Sequence, residues 1–250
     1  MSELVGFVTG AATGIGSATA RQLAAKGLRV AVCDINRSVG AALADEIGGS
    51  FYECDVTNFA SVQAAASACE SELGTPTYVH LNAGIMTVPT DDPFLAIEDV
   101  TLDQFNSILG VNFTGVFHGM KVLLPKMKAN GGAITTTASV AAFGQLPFDP
   151  LYSATKHALV GFVRSIAAAN ASGNVRINAI CPGVVDTAIV PGMFRNPEMM
   201  MPPEELASEV VDLLYNGASG EIRAKVAGRE AFEVPAIDVM TGEVPFLANS

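Results

Sequence analysis

Positive charge is scarce in this chain: lysine and arginine number 14 against 25 aspartates and glutamates, for a net charge of −11. A surface of that sign repels phosphate backbones and anionic headgroups, so neither nucleic acid nor a membrane surface is an expected partner. Long apolar runs are missing too. A bilayer span needs roughly 18 or more consecutive apolar residues, and no such uncharged run occurs. Cysteine is sparse: Cys33, Cys54, Cys69 and Cys181 fall in neither metal-ligand nor disulfide-framework spacing. His80, His118 and His157 stand apart, with no carboxylates spaced as a metal site requires, and no metal is expected. The opening MSELVGFVTG enters a strand-like run at once, so no targeting segment is expected ahead of it. A reduced, cytoplasmic protein fits these features.

What the chain has in quantity is core-forming material. Half of its 250 residues are hydrophobic and only 16% are charged, enough for one large domain over 1–250. Nearly continuous hydrophobic runs, many of them β-branched, at 4–9, 29–33, 50–55, 78–82, 133–139, 175–181 and 222–227 read as strands buried on both faces. Helical periodicity fills 15–26, 38–47, 58–73, 101–128, 152–170 and 203–216. Thr101 and Gln104 have the spacing of a capping box, and Pro203 followed by Glu204 and Glu205 suits a helix start. Strand–helix–strand repetition of this kind predicts an α/β, doubly wound Rossmann fold. Its sheet would hold about seven mainly parallel strands with helices on both faces.

The first strand runs directly into TGAATGIG, residues 9–16, and then into a helix. Gly10 allows a tight turn, Gly14 lets the backbone approach a pyrophosphate, and Gly16 lets the helix pack on the sheet. The helix N-terminus offers free N–H groups to phosphate, and Thr13 and Ile15 lie in the same turn as candidate contacts. The second strand ends at Asp34, eighteen residues past Gly16. A carboxylate there accepts the adenosine ribose hydroxyls and repels a 2′-phosphate, which favours NAD over NADP; Arg37 reads as a solvated loop residue. Asp55, with Val56, ends the third strand at the same edge, where it either meets the adenine or caps the following helix.

Near the middle of the chain, Tyr152 and Lys156 lie four positions apart and so share one helix face. Alone, that spacing is common. In company, the chain resembles the short-chain dehydrogenase/reductase family over residues 4–190. The motifs stand in family order: TGAATGIG, Asp34, Asp55–Val56, NAG at 82–84, Asn112 in GVNFTG, Ser139, YSATK at 152–156, and Pro182–Gly183 followed by Thr187. The resemblance implies Tyr152 as catalytic acid/base, Lys156 as its partner, Ser139 as the substrate-orienting hydroxyl and Asn112 in support of a proton relay. It implies Asn82, Ala83 and Gly84 on the adenosine side, and Thr187 with the backbone of Pro182, Gly183 and Val185 at the nicotinamide. The chemistry agrees: an ordinary tyrosine pKa near ~10 is too high for a base at neutral pH, and a cation one turn away is expected to lower it. Ser139 offers a hydroxyl where charge develops on the substrate oxygen. Asn112 has a plainer alternative, satisfying backbone groups inside a buried helix.

Three segments, 85–100, 141–151 and 184–206, are expected to shape the substrate end, with a lid at 186–206. The methionines there suit an adaptable surface, or close the core beneath a subunit contact. Few charges lie in these segments and Arg195 is the one arginine, so a small apolar alcohol or ketone is the expected partner. Two features depart from the family: Leu81 stands in place of the first asparagine of NNAG, and 219–244 replaces a terminal VDGG. A homodimer or homotetramer is expected, through the helices at 101–128 and 152–170. The expected function is hydride transfer between NAD(H) and a hydrophobic secondary alcohol or ketone. The alternatives are an NADPH-dependent 3-oxoacyl-thioester reductase and a non-catalytic NAD(H)-sensing binding protein.

Overall fold

The protein was analysed as a computed structural model, which describes residues 4–236. The chain runs β1 (Val5–Thr9), α1 (Gly14–Ala25), β2 (Arg29–Asp34), α2 (Arg37–Ile47), β3 (Ser50–Glu53), α3 (Phe59–Glu72) and β4 (Tyr78–Leu81). It continues through α4 (Leu102–Leu109), α5 (Gly115–Met127), β5 (Gly132–Thr137), α6 (Pro150–Ala169), β6 (Val175–Pro182) and β7 (Val184–Val185). β8 (Met200–Met201), α7 (Pro203–Tyr215), β9 (Ile222–Lys225) and β10 (Phe232–Glu233) complete it.

The main sheet has the order β10-β9-β6-β5-β4-β1-β2-β3, parallel except for the β9–β10 pair. Its inner strands are apolar on both faces because each face is covered. One core joins Val62, Ala66 and Cys69 of α3, Leu123 of α5 and Leu159 of α6 to the sheet, and the other joins Leu23 of α1, Leu43 of α2 and Leu206 of α7. Strand order reverses between β1 and β4, which opens a crevice at the carboxyl edge, the place where such sheets bind ligands.

All seven expected strands of the sheet form. An eighth, β10, pairs antiparallel along β9 and covers that edge. Both of its residues are exposed, so no apolar run marks it in the sequence. β7 and β8 form a separate two-stranded sheet of equally short strands. The part of the atypical C-terminus beyond residue 236 lies outside the described residues.

The helix expected over 101–128 is present, with its Thr101–Gln104 capping box. Between α4 and α5 it loosens into a π-helical turn, Gly110–Thr114. The whole stretch Leu102–Met127 has the length and hydropathy of a membrane span, yet half of its most apolar part is buried within the fold.

Candidate active site

The glycine turn adopts the shape its sequence requires. Gly10 and Gly14 have φ of +61° and +56°, the left-handed region that favours glycine. A Cβ on Gly16 would run into the Gly10 carbonyl oxygen and stand 2.8 Å from Asn82 Nδ2, so α1 packs on the sheet only without one. Thr13 precedes α1 without a side-chain cap bond, leaving early N–H groups of the helix facing the crevice.

Asp34 has a task that the strand-end position did not reveal. Its Oδ2 accepts from Ala12 N at 2.9 Å and its Oδ1 from Asn36 N at 2.9 Å, so the carboxylate braces the glycine turn from the neighbouring strand. Arg37 bonds Glu53 at 2.5 Å. Asp55 does not cap α3. It closes a turn by accepting from Thr57 N and Thr57 Oγ1 at 2.9 and 2.7 Å, while Asn58 caps the helix, and Asp55 itself lines the crevice.

Asn82 ties three strands together. Its Nδ2 donates to the Thr9 and Gly10 carbonyls, both at 3.2 Å, and its Oδ1 accepts from Thr137 Oγ1 at 3.0 Å. Thr137 Oγ1 also stands 3.2 Å from Nε2 of the fully buried His80, whose pKa burial pushes down to about 4. Ala83 and Gly84 continue along the floor of the cleft.

Beyond them Ser139, Tyr152 and Lys156 converge. Ser139 Oγ accepts from Ala141 N at 3.1 Å and donates to the Pro182 carbonyl at 3.5 Å, and its hydroxyl favours the ionised form of the Tyr152 side chain. Lys156 Nζ donates to the Thr137 carbonyl at 2.9 Å and lies 5.3 Å from the centre of the Tyr152 ring. One expectation needs correction here. Burial raises the phenol of Tyr152 to about 12 instead of lowering it; Ser139 pulls it back, and Asp149 and Cys181 push it further up. Burial also lowers Lys156 to about 8. Loss of water around both groups outweighs their proximity.

Asn112 sits in the π-helical turn, fully buried. Its Oδ1 accepts from Ile85 N at 2.8 Å, and its Nδ2 donates to Ile85 O at 2.9 Å and Thr155 Oγ1 at 3.1 Å. The side chain is thus satisfied by locking the strand-end segment to α6.

These groups line one cleft of about 620 Å³. Every residue expected at the site lines it except Gly16 and Asn112, which brace its wall from behind. Pro182, Gly183, Val185 and Thr187 form its far rim, where Thr187 Oγ1 donates to the Val185 carbonyl at 3.3 Å. Among the described residues, the charged ones that line it are Asp34, Asp55 and Lys156.

The three expected substrate segments meet through an aromatic trio the sequence did not single out. Phe148 lies 4.9 Å from Phe94 and 4.6 Å from Phe194, one ring from each segment. Thr90 Oγ1 adds a bond to the Ala188 carbonyl at 2.6 Å. Arg195 is engaged with Asp186 at 3.3 Å and the Thr187 carbonyl at 3.0 Å. The methionines divide: Met201 is core, whereas Met193 and Met199 are 72% and 60% exposed. Asp149, at the start of α6, is a further site residue that the motifs did not flag. It is buried and accepts from Tyr152 N at 3.0 Å.

An open parallel sheet with a glycine turn at its switch point and a Ser–Tyr–Lys cluster on the same edge defines an oxidoreductase on a dinucleotide-binding fold. The model of the short chain dehydrogenases matches residues 5–198, and the chain belongs to that family, whose dehydrogenases use nicotinamide cofactors. It is 31% identical to trans-4-hydroxycyclohexanecarboxylate dehydrogenase of Sinomonas cyclohexanicum, over 88% of each chain. It is 34% identical to D-threitol dehydrogenase of Mycolicibacterium smegmatis, over 86% of this chain and 87% of that enzyme. Among solved structures it is similar to 3-ketoacyl-(acyl-carrier-protein) reductase from Brucella melitensis complexed with NADH. That match has a TM-score of 0.80 and 28% identity, and covers 90% of this chain and 96% of that one.

Proposed function

We propose that this protein oxidises neutral, mainly apolar secondary alcohols with NAD⁺ and reduces the matching ketones with NADH, with Tyr152 as acid/base. The observation that carries the reading is one continuous cleft. It runs from the glycine turn and Asp34 to Ser139, Tyr152 and Lys156, and ends among apolar side chains.

The residues present fit a dinucleotide. A Cβ on Gly14 would stand 2.9 Å from the Thr187 side chain, so the glycine keeps the backbone low where the two rims approach. The exposed N–H groups of α1 suit a pyrophosphate. Asp34 lines the adenosine end and Arg37 is occupied by Glu53, which together favour a ribose hydroxyl over a 2′-phosphate. When bound, the nicotinamide supplies the hydride acceptor or donor.

The protein's own part is position and proton transfer. Ser139 Oγ holds the substrate oxygen beside Tyr152, and the phenolate takes the hydroxyl proton as the alcohol is oxidised. In reduction the phenol returns that proton to the carbonyl oxygen. Lys156 favours the phenolate by its charge, and it would hold the nicotinamide ribose when the cofactor is bound. Among the described residues the cleft lining has no arginine and no lysine other than Lys156, and Arg195 on the rim is taken up by Asp186 and the Thr187 carbonyl, which supports a neutral substrate over a carboxylate or an acyl-carrier thioester.

The test is NAD-linked turnover across steroid, aryl and aliphatic secondary alcohols, with wild type beside Tyr152→Phe. Turnover should vanish in the variant while NADH binding, read by fluorescence, stays near wild type. Retained turnover would overturn the role of Tyr152, and higher kcat/KM with NADP would overturn the choice of cofactor.

A further inference from the structure

Among the described residues Asp149 is the only buried acidic side chain, 2% exposed. Three uncharged donors meet it. Tyr152 N and Thr87 Oγ1 donate to Oδ1 at 3.0 and 2.5 Å, and Thr87 N donates to Oδ2 at 2.9 Å. A helix cap needs one acceptor, and serine, threonine or asparagine supplies it without burying a charge. A buried carboxylate is costly unless its hydrogen bonds are met from several sides, as they are here.

The second partner explains what the charge connects. Thr87 opens the segment whose Thr90 holds the Ala188 carbonyl and whose Phe94 packs on Phe148. Asp149 therefore fastens the wall of the substrate end to the first turn of α6, the turn that carries Tyr152. The titratable groups around that tyrosine are Asp149 at the helix start, Lys156 one turn along with its Nζ 5.3 Å from the ring centre, and Cys181 on β6. Asp149 and Cys181 oppose the phenolate, and Ser139 favours it.

We propose that Asp149 is a positioning residue: its carboxylate joins the substrate wall at Thr87 to the helix bearing Tyr152, and sets an acidic group against the backbone N–H of that tyrosine. The proposal rests on the reading of Tyr152 as acid/base. It assigns two separable effects, one on substrate fit through Thr87 and one on the protonation of Tyr152 through charge.

Thr87→Val, Asp149→Asn and Asp149→Ser are compared with wild type in alcohol oxidation across pH. Thr87→Val removes one hydrogen bond to the wall, and KM for the alcohol should rise about 2- to 10-fold with kcat changed less. The two Asp149 variants keep a cap for Tyr152 N and lose the charge. The rise of kcat/KM with pH should then move to lower pH by roughly 0.5 to 1 unit, since removal of a nearby anion favours the phenolate. Variants that only lose thermal stability, with the pH midpoint and KM unmoved, would reduce Asp149 to a helix cap and overturn the proposal. Should the Asp149 variants not fold, an unchanged KM in Thr87→Val would do the same. If wild type turns over no alcohol, the functional reading fails by itself. The charge effect is then decided by tyrosinate absorbance, assigned to Tyr152 by difference from Tyr152→Phe. A lower titration midpoint in Asp149→Asn upholds the proposal, and an unmoved one overturns it.

Discussion

The ammonium of Lys156 lies 5.3 Å from the centre of the Tyr152 ring, yet the phenol is held up at about 12. Burial sets that value, so the helix spacing alone does not make Tyr152 a base at neutral pH. Positive charge added to the cleft must supply the difference. The midpoint of Tyr152 ionisation, followed by tyrosinate absorbance against Tyr152→Phe, should lie above an ordinary tyrosine. NAD⁺ should lower it more than NADH does, because only the oxidised ring is cationic. Equal midpoints with both cofactors would remove the ring from the account.

Lys156 itself costs stability at neutral pH. Burial lowers its pKa to about 8, whereas the unfolded chain keeps the proton to near the ordinary lysine value of about 10.4. Below pH ~8 both states are protonated and the folded state bears the buried charge. Between those two values only the unfolded state holds the proton, so the contribution of Lys156 to stability climbs with pH; above both, it stops changing. Tyr152 acts oppositely above pH ~10, where the unfolded tyrosine ionises first, so measurements belong below that. Lys156→Met should be stabilised relative to wild type by an amount that is larger at pH 7 than near pH 10, with a difference of order 1–3 kcal/mol. Denaturant melts at the two pH values check this. A difference that does not change with pH would show that the buried charge is not what costs stability.

Asp34 braces the glycine turn through its bond to Ala12 N at 2.9 Å, and under the proposed function it also selects NAD. Asp34→Ala should therefore lower kcat/KM with NAD by about 10-fold or more, from the loss of a charge-assisted bond and of the proposed ribose contacts. The ratio of NAD to NADP efficiency should fall at the same time. Asp34→Asn keeps an acceptor for Ala12 N, and should recover part of the NAD activity without recovering the full discrimination. A variant that loses both cofactors equally would make Asp34 a brace alone.

The sheet was legible because its inner strands are buried on both faces and write continuous apolar runs. Two-residue strands such as Phe232–Glu233 write no such pattern. The π-helical turn at Asn112 was hidden for a related reason, since its residues continue the helical period on either side. At the site, residue types and order pointed to Ser139, Tyr152 and Lys156, and the fold brings them together. The protonation of Tyr152 was misjudged because a sequence displays the cation at i+4 but not the removal of water. Asp149 and the trio of Phe94, Phe148 and Phe194 stayed hidden because each depends on segments far apart in the chain meeting in space.

That trio gives the substrate end its most direct test. Phe194 comes from the expected lid and packs 4.6 Å from Phe148, while β8 anchors the far end of the segment to β7. Phe194→Ala removes the ring and leaves that anchor in place, which deletion of 193–201 would not, since it takes both residues of β8. An aromatic contact of this kind contributes about 0.5–1.5 kcal/mol beyond its buried area. KM for bulky aryl or steroid alcohols should rise several-fold, KM for short aliphatic alcohols should change little, and NADH binding should be unaffected. A uniform rise across the panel would mean that the ring orders the whole rim, including the Thr187 side. An unchanged panel would mean that residues 186–206 do not close over the substrate at all.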